Sequence, residues 1–369
     1  MPASRAEGEK RRRRCDTEPS VAAAVPTRIL IVKLSSLGDI VHALPVAASL
    51  RASFPHAKLA WVVEQKWRPL LARHPDLDEI FTIDSFALRR QPRRWSVTRA
   101  DLARLRRYHP DWCLDLQGTM KSAVVTRLSG APRRVGFAAA ACRERGLGWA
   151  YNLRVQPRST HVVDQMLELA AACGSLQRVL GFSFPIPAEV QREVDAWIAD
   201  NQIGAFAFYS PGGGWTSKRW PSERFARLAE LLHERYGLAA VLNRGPGERD
   251  ADDAYRRANA IRARLFSGDV EHLGAVLKRA RLVVGGDTGP LQLAAALQVP
   301  TVALFGPTDP ARNGPYSPRS VVLRKTDATT YQRGSTYSPA MLALGPEEVA
   351  DACGQLLGFS SGAAAPPPS

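Results

Sequence analysis

The sequence predicts an α/β protein built from two Rossmann-like halves, each a parallel sheet wound with helices. Three observations carry this expectation. Strand-like runs alternate with helical periodicities along the first half, the alternation restarts with a fresh strand at residue 205, and 369 residues exceed what one hydrophobic core usually holds. Two units of roughly 150 to 180 residues are expected. An apolar fraction of 45% beside a charged fraction of 23% belongs to a packed globular chain and excludes a fibrous or wholly disordered one.

Order begins at RILIVKL, residues 28 to 34, a β-branched run closed by the turn-like SSLGD, as expected of a strand buried on both faces. Apolar residues then recur at helical spacing from Ile40 to Arg51 and stop before Pro55, and KLAWVVE at 58 to 64 reads as the next strand. Further units are expected around EIFTID (79 to 84), DWCLDLQG (111 to 118) with a helix from near Thr119, and RVGF (134 to 137). The second series opens at AFAFYSPGGG (205 to 214), continues as a helix from Ser222 to Tyr236, and returns as LAAVLNRGPGE at 238 to 248. Its clearest unit spans residues 281 to 310, where a strand meets a Gly-Asp-Thr-Gly turn, a short helix and a strand ending in Gly-Pro. Gly181, Pro185 and Pro187 mark a linker, so the expected division is a basic tail over 1–26, one domain over 27–185, a second over 186–358 and a tail over 359–369.

The formal charge of +15 implies attraction to phosphate-bearing partners without choosing among nucleotides, nucleic acid and an anionic membrane. Five scattered cysteines without a CxxC pair suggest neither a zinc site nor a disulfide framework, and fit a reducing cytosol. No apolar run is long enough to span a bilayer, and the stretch from Val21 to Val25 is too short for a signal-peptide core.

Four segments carry candidate chemistry. In KLSSLGDIVHALP, Asp39 stands where a strand gives way to a helix; it can cap that helix, or it can face a crevice and take a proton as an acceptor hydroxyl attacks. Ser35, Ser36 and Gly38 share the loop, and Lys33, closing a buried strand, must find an anion or reach solvent. In SPGGGWTSKRWP, glycines including Gly213 and Gly214 let backbone N–H groups approach a phosphate and Lys218 adds a charge, although the spacing is not that of a Walker A loop. Trp220 and Pro221 read as packing at a helix start. DTGP at 287 to 290 opens a helix straight after a strand, a ready anion site, with Asp287 and Thr288 as caps or ligands. Glu248 follows a strand where dinucleotide folds place an acid on ribose, or else is a solvated surface residue.

Taken together, VKLSSLGDIVHALP, DLQGTMKSA (115 to 123), SKRWP (217 to 221), GDTGPLQLAAAL (286 to 297) and FGPTDP (305 to 310) resemble glycosyltransferase family 9, the lipopolysaccharide heptosyltransferases, and the type I members more than type II. The resemblance implies a GT-B fold, two Rossmann-like domains facing across a cleft, and inverting transfer of heptose from ADP-heptose to a Kdo sugar of the inner core. It implies Asp39 as general base beside Lys33, Ser36 and Gly38, with Lys218 on the donor diphosphate, Glu248 on the ribose, and Asp287, Thr288 and Gly289 as the phosphate- and sugar-binding turn. No cofactor and no metal are expected, because cations and helix N-termini can support the leaving diphosphate. Two positions depart from the family pattern. Gln292 stands where a histidine is common, and Gly213 and Gly214 where type I members often carry hydroxyls.

A nicotinamide-dependent dehydrogenase would need GxGxxG in the first turn, which SSLGD lacks. A nucleic-acid-binding protein would suit the charge, but no helix-turn-helix, zinc-finger or RNP pattern is present. The expected setting is the cytoplasmic face of the inner membrane, with a nucleotide-sugar donor and a glycolipid acceptor. Arginines between Arg89 and Arg107, among them Arg90, Arg93 and Arg94, are candidates for peripheral membrane contact or for a solvated helix face.

Overall fold

The computed structural model describes residues 25–84, 95–245, 256, 263–326, 328–330 and 333–359. Glu248, Arg89, Arg90, Arg93 and Arg94, and nearly all of both expected tails, lie outside the described residues. The first half holds β1 (Arg28–Val32), β2 (Lys58–Glu64), β3 (Glu79–Ile83), β4 (Trp112–Asp115), β5 (Arg133–Phe137) and β6 (Leu153–Val155), in the order β3-β2-β1-β4-β5-β6. The second holds β7 (Phe206–Ser210), β8 (Ala239–Asn243), β9 (Arg264–Phe266), β10 (Leu282–Gly286), β11 (Thr301–Phe305) and β12 (Ser320–Arg324), in the order β12-β11-β10-β7-β8-β9. Every pairing in both sheets is parallel. Counted from its own first strand, each sheet reads 3-2-1-4-5-6, the doubly wound order. Its direction of winding reverses between the first and fourth strands, where a crevice opens at their carboxyl ends. The loops that carry Asp39, Gln117, Lys218 and Asp287 follow β1, β4, β7 and β10, so topology alone brings them to the two crevices.

Helices among the described residues are α1 (Leu37–Ser53), α2 (Arg68–Leu71), α3 (Trp95–Tyr108), α4 (Met120–Leu128), α5 (Val162–Ala172), α6 (Ala188–Asp200), α7 (Ser222–Tyr236), α8 (Val270–Arg279), α9 (Gly289–Ala296), α10 (Pro310–Asn313), α11 (Pro339–Leu342) and α12 (Pro346–Leu356). Both faces of the first sheet are covered. Leu30, Val32 and Val62 pack with Leu105 of α3 and Val125 of α4, while Ile29, Ile31 and Trp61 pack under α1 and α5. Burial on both faces explains why these strands read as unbroken apolar runs. The cluster under α1 continues through Leu291 and Leu293 of α9 into the second half, so the halves share apolar contact. A separate cluster, built on Tyr209, Trp220, Phe225 and Val349, fills the far side of the second sheet beneath α7 and α12.

The structure adds strands that the periodicity does not announce. β6 and β9 are three-residue edge strands whose arginines break the apolar run, and β12 is an edge strand of which no residue is fully buried. α1 also starts three residues before Ile40, because Ser36 closes a capping box with Asp39.

Candidate functional site

The two halves approach most closely where α1 and α9 begin. A Cβ on Gly289 would stand 2.7 Å from Leu37, and one on Gly38 would stand 3.1 Å from Gln292, so glycine at these two positions lets the helix starts abut. This role is packing, one that loop composition alone does not reveal. Around the junction opens a cleft of about 840 Å³, the size of a small-molecule site, lined from the first half by Ser36, Asp39, His42, Gln117 and Arg143. From the second half Lys218, Asp287, Thr288, Gln292, Arg312 and Arg333 face the same space.

Asp39 is held from several sides. Its Oδ2 accepts from the Ser36 backbone N–H at 3.1 Å, the Ser36 hydroxyl at 3.0 Å and Arg143 Nη1 at 3.3 Å, while Oδ1 accepts from Arg143 Nη2 at 2.5 Å. Capping and cleft-facing roles therefore coexist in one side chain. Among the described residues Oδ1 takes that one bond, which leaves acceptor capacity on it. Burial by itself would raise the carboxyl, but Lys33 and Arg143 outweigh it and keep Asp39 ionised well below the usual carboxylate range. Lys33 sits behind the cleft, 4% exposed, donating to the Leu116 carbonyl at 2.8 Å, and burial brings its amine down to about 8 against the pull of Asp39. Its anion is Asp39.

The DLQG segment has a structural reason. The buried carboxylate of Asp115 accepts from the N–H groups of Gln117 and Gly118 and from Tyr151, which shapes the turn after β4. Gln117 Oε1 then accepts from Leu34 N at 2.7 Å and Ser35 N at 3.2 Å, pinning the loop that carries Asp39. Gln117→Ala strands two N–H groups. An unsatisfied buried donor costs about 1–3 kcal/mol, so denaturant unfolding is expected to show a loss of that order.

On the opposite wall, Lys218 donates to Asp287 Oδ2 at 2.5 Å and lies over the Trp215 ring at 4.4 Å, and Thr308 also donates to Asp287 at 3.0 Å. Thr288 is the N-cap of α9 but makes no side-chain cap, and its buried Oγ1 has no hydrogen-bond partner. The first-turn N–H groups of α9 thus start beside Lys218, with Arg312 and Arg333 also on the wall, a concentration of donors suited to an anion. Gly213 and Gly214 are not among the residues lining the cleft; Gly213 approaches Thr288 from outside, where a Cβ would come within 3.2 Å of its methyl. Trp220 is buried with its Nε1 on the Leu344 carbonyl at 3.1 Å, a packing role.

Gln292 spans the junction. Its Oε1 accepts from His42 Nε2 at 2.9 Å and its Nε2 donates to the Asn313 carbonyl at 2.9 Å. His161 stands edge-on to His42 with ring centroids 5.6 Å apart and bonds the Gly314 carbonyl at 3.0 Å. Burial first, then His161, brings His42 down to about 4, partly opposed by Asp39, Gln292 and Asp287, and burial lowers His161 as well. Both rings are folded in neutral form, whereas the unfolded chain takes their protons below an ordinary value of about 6.5. Stability is therefore expected to fall as pH drops from about 6.5 to about 4, by up to about 3 kcal/mol for His42. Urea midpoints across that window, compared with those of His42→Gln, should show a shallower slope in the variant.

Sequence reasoning missed His42, Gln117, Arg143, Arg312, Asn313 and Arg333 as cleft residues. Gln117 and Arg312 lie in or just beyond quoted motifs and could have been followed; Arg143 carries no local signal among so many arginines. Among the described residues no group of three or more His, Cys, Asp or Glu side chains is arranged for a metal ion, and no helix is long and apolar enough to cross a membrane.

The model of glycosyltransferase family 9 (heptosyltransferase) matches residues 99–340. The chain is 32% identical to lipopolysaccharide heptosyltransferase 1 of Pseudomonas aeruginosa over 335 residues, covering 85% of this chain and 88% of that one. It is 30% identical to the protein of the same name from Escherichia coli K12 over 313 residues, covering 80% and 93%. The structure of E. coli heptosyltransferase WaaC with ADP superposes with a TM-score of 0.68 at 27% identity, over 89% of this chain and 99% of that one. A family 9 glycosyltransferase from Veillonella parvula shares the fold with a TM-score of 0.74 at 21% identity, over 90% and 97%. Two parallel sheets facing across a cleft are the GT-B arrangement.

Proposed function

The chain belongs to glycosyltransferase family 9, and from that membership and the cleft we propose an inverting transfer of L-glycero-D-manno-heptose from ADP-heptose to Kdo of the lipopolysaccharide inner core. One observation supports the chemistry above others: Asp39 from one half and Lys218 with the start of α9 from the other line a single cavity. In this reading the acceptor hydroxyl lies against Asp39. As its oxygen bonds to the anomeric carbon its proton passes to the carboxylate, and the bond from that carbon to the β-phosphate oxygen breaks with its electron pair on ADP. Lys218, Arg312, Arg333 and the first N–H groups of α9 meet the diphosphate charge, so the reading assigns the leaving-group role to protein cations and needs no metal or cofactor. Glu248 on the ribose remains part of the proposal. The working location is the cytoplasmic face of the inner membrane, where a Kdo-bearing glycolipid would be presented.

A second reading keeps the fold and changes the sugar. Both ends of the Gln292 amide are engaged by the protein, where the family commonly has histidine, so donor contacts near that position differ and another nucleotide sugar or acceptor is accommodated on the same frame. The test is to incubate the protein with a panel of nucleotide sugars and Kdo-bearing lipid A, with and without EDTA, and to weigh the product. Heptose addition unaffected by EDTA is expected. Transfer from a hexose donor with none from ADP-heptose overturns the substrate, and loss of transfer on chelation overturns the metal-free mechanism.

A further inference from the structure

Three large apolar side chains stand in solvent beside the cleft: Met120 is 45% exposed, Val124 40% and Trp149 49%. Met120 and Val124 lie one helical turn apart on the outer face of α4, whose inward residues Ala123 and Val125 are buried. Trp149 belongs to the loop whose Leu147 and Ala150 pack on Ala123, and the Met120 N–H donates to Glu144 of the same loop at 2.6 Å. Helix and loop are thus one surface. The cleft lining includes Gln117 and runs from Ala140 to Arg143, so this surface begins where that lining ends.

Exposed Lys121, Arg127 and Arg145 are interleaved with the apolar groups. The nearby acids are Glu144, which accepts the Met120 N–H, and Glu64, which lies 4.0 Å from Lys66 and 3.9 Å from Lys121, so Lys66, Lys121, Arg127 and Arg145 meet two carboxylates. The balance is cationic. Tryptophan, methionine and valine ringed by cations suit the interfacial zone of an anionic bilayer, where apolar groups enter the headgroup boundary and cations meet lipid phosphates. A second exposed apolar group among the described residues, Leu176, Val179 and Leu180, does not share this placement. The Val179 N–H bonds Ser49, ten residues along α1 from Asp39 and so about 15 Å away, and Arg178 is engaged by Asp164 and Tyr316.

We propose that the outer face of α4 and the Trp149 loop dock this protein on an anionic bilayer, seating the cleft mouth over a membrane-anchored acceptor. The choice of a bilayer over a second copy of the chain rests on the family 9 reading, in which the acceptor is a glycolipid. This surface differs from the arginines between Arg89 and Arg107 to which the sequence draws attention.

The full chain is sedimented with vesicles of equimolar phosphatidylglycerol and phosphatidylcholine and with phosphatidylcholine alone. Parent protein is expected to partition onto the anionic vesicles. Met120→Ser/Val124→Ser/Trp149→Ser and, separately, Lys121→Gln/Arg127→Gln/Arg145→Gln are each expected to lower that partition at least tenfold with the fold retained by circular dichroism, the apolar triple at a modest cost in thermal midpoint because each of its side chains is about half packed. Turnover on a deacylated, water-soluble acceptor should stay at the parental level while turnover on vesicle-embedded acceptor falls. Parent protein that ignores anionic vesicles, triple variants that bind like the parent, or sedimentation velocity showing a parental dimer that the apolar triple splits would each overturn the proposal. Absence of heptose transfer with vesicle binding intact would instead count against the family 9 substrate reading.

Discussion

Asp39→Asn is expected to lose transfer by a factor of roughly 10²–10⁴, the range for removing a positioned general base, while keeping its fold. The two roles of this side chain make the comparison decisive. Asparagine can still accept from Ser36, so the capping box survives in part and a cost of about 1 kcal/mol in stability is expected. Turnover, in contrast, needs the charge. A variant with parental kcat and only the stability loss would leave Asp39 as a cap and remove the proposed base. The ion pair with Arg143 adds a second reading of the same group. A carboxylate held this far down is ionised at any pH where the fold survives, so no acid limb from Asp39 is expected in kcat/KM between about pH 5 and 8. Lys33→Gln removes one of the two cations, so its Asp39 should titrate at higher pH than in the parent.

Much of this site is legible because topology does the gathering. β1 and β4 are neighbours, as are β7 and β10, so SSLGD and DLQG meet at one switch point and the loop of Lys218 meets DTG at the other. A reader who expects two doubly wound sheets can therefore place Asp39, Lys218 and Asp287 near crevices without coordinates. What sequence does not disclose is which residues are spent on the protein itself. Gly38 and Gly289 look like loop residues around a ligand, and they are where two helices touch. Gln117 looks like part of a motif, and it holds two backbone N–H groups of another loop. Lys33 looks like a ligand for substrate, and its amine is buried on the Leu116 carbonyl, where it acts on Asp39 through space. The glycine and glutamine contacts join segments roughly 80 to 250 residues apart, which local periodicity cannot encode, and the Lys33 amine is fixed by its bond to the Leu116 carbonyl, 83 residues away.

Lys218→Ala is expected to weaken ADP-sugar binding by roughly 10²-fold, as the loss of a charged hydrogen bond to phosphate implies. The neighbouring carboxylate makes the consequence larger than one missing contact. With Lys218 gone, Asp287 keeps the Thr308 bond but no cation, and a negative charge then faces the space assigned to the diphosphate. Adding Asp287→Asn to Lys218→Ala removes that repulsion, so the double variant should bind about tenfold better than the single one, a coupling expected of charges in direct contact. Calorimetric titration of ADP into the four proteins of the cycle measures it. If Asp287→Asn brings no recovery, Asp287 does not share a field with the donor. If Lys218→Ala binds ADP like the parent, the lysine belongs to its salt bridge alone and the anion site must be carried by α9 with Arg312 and Arg333.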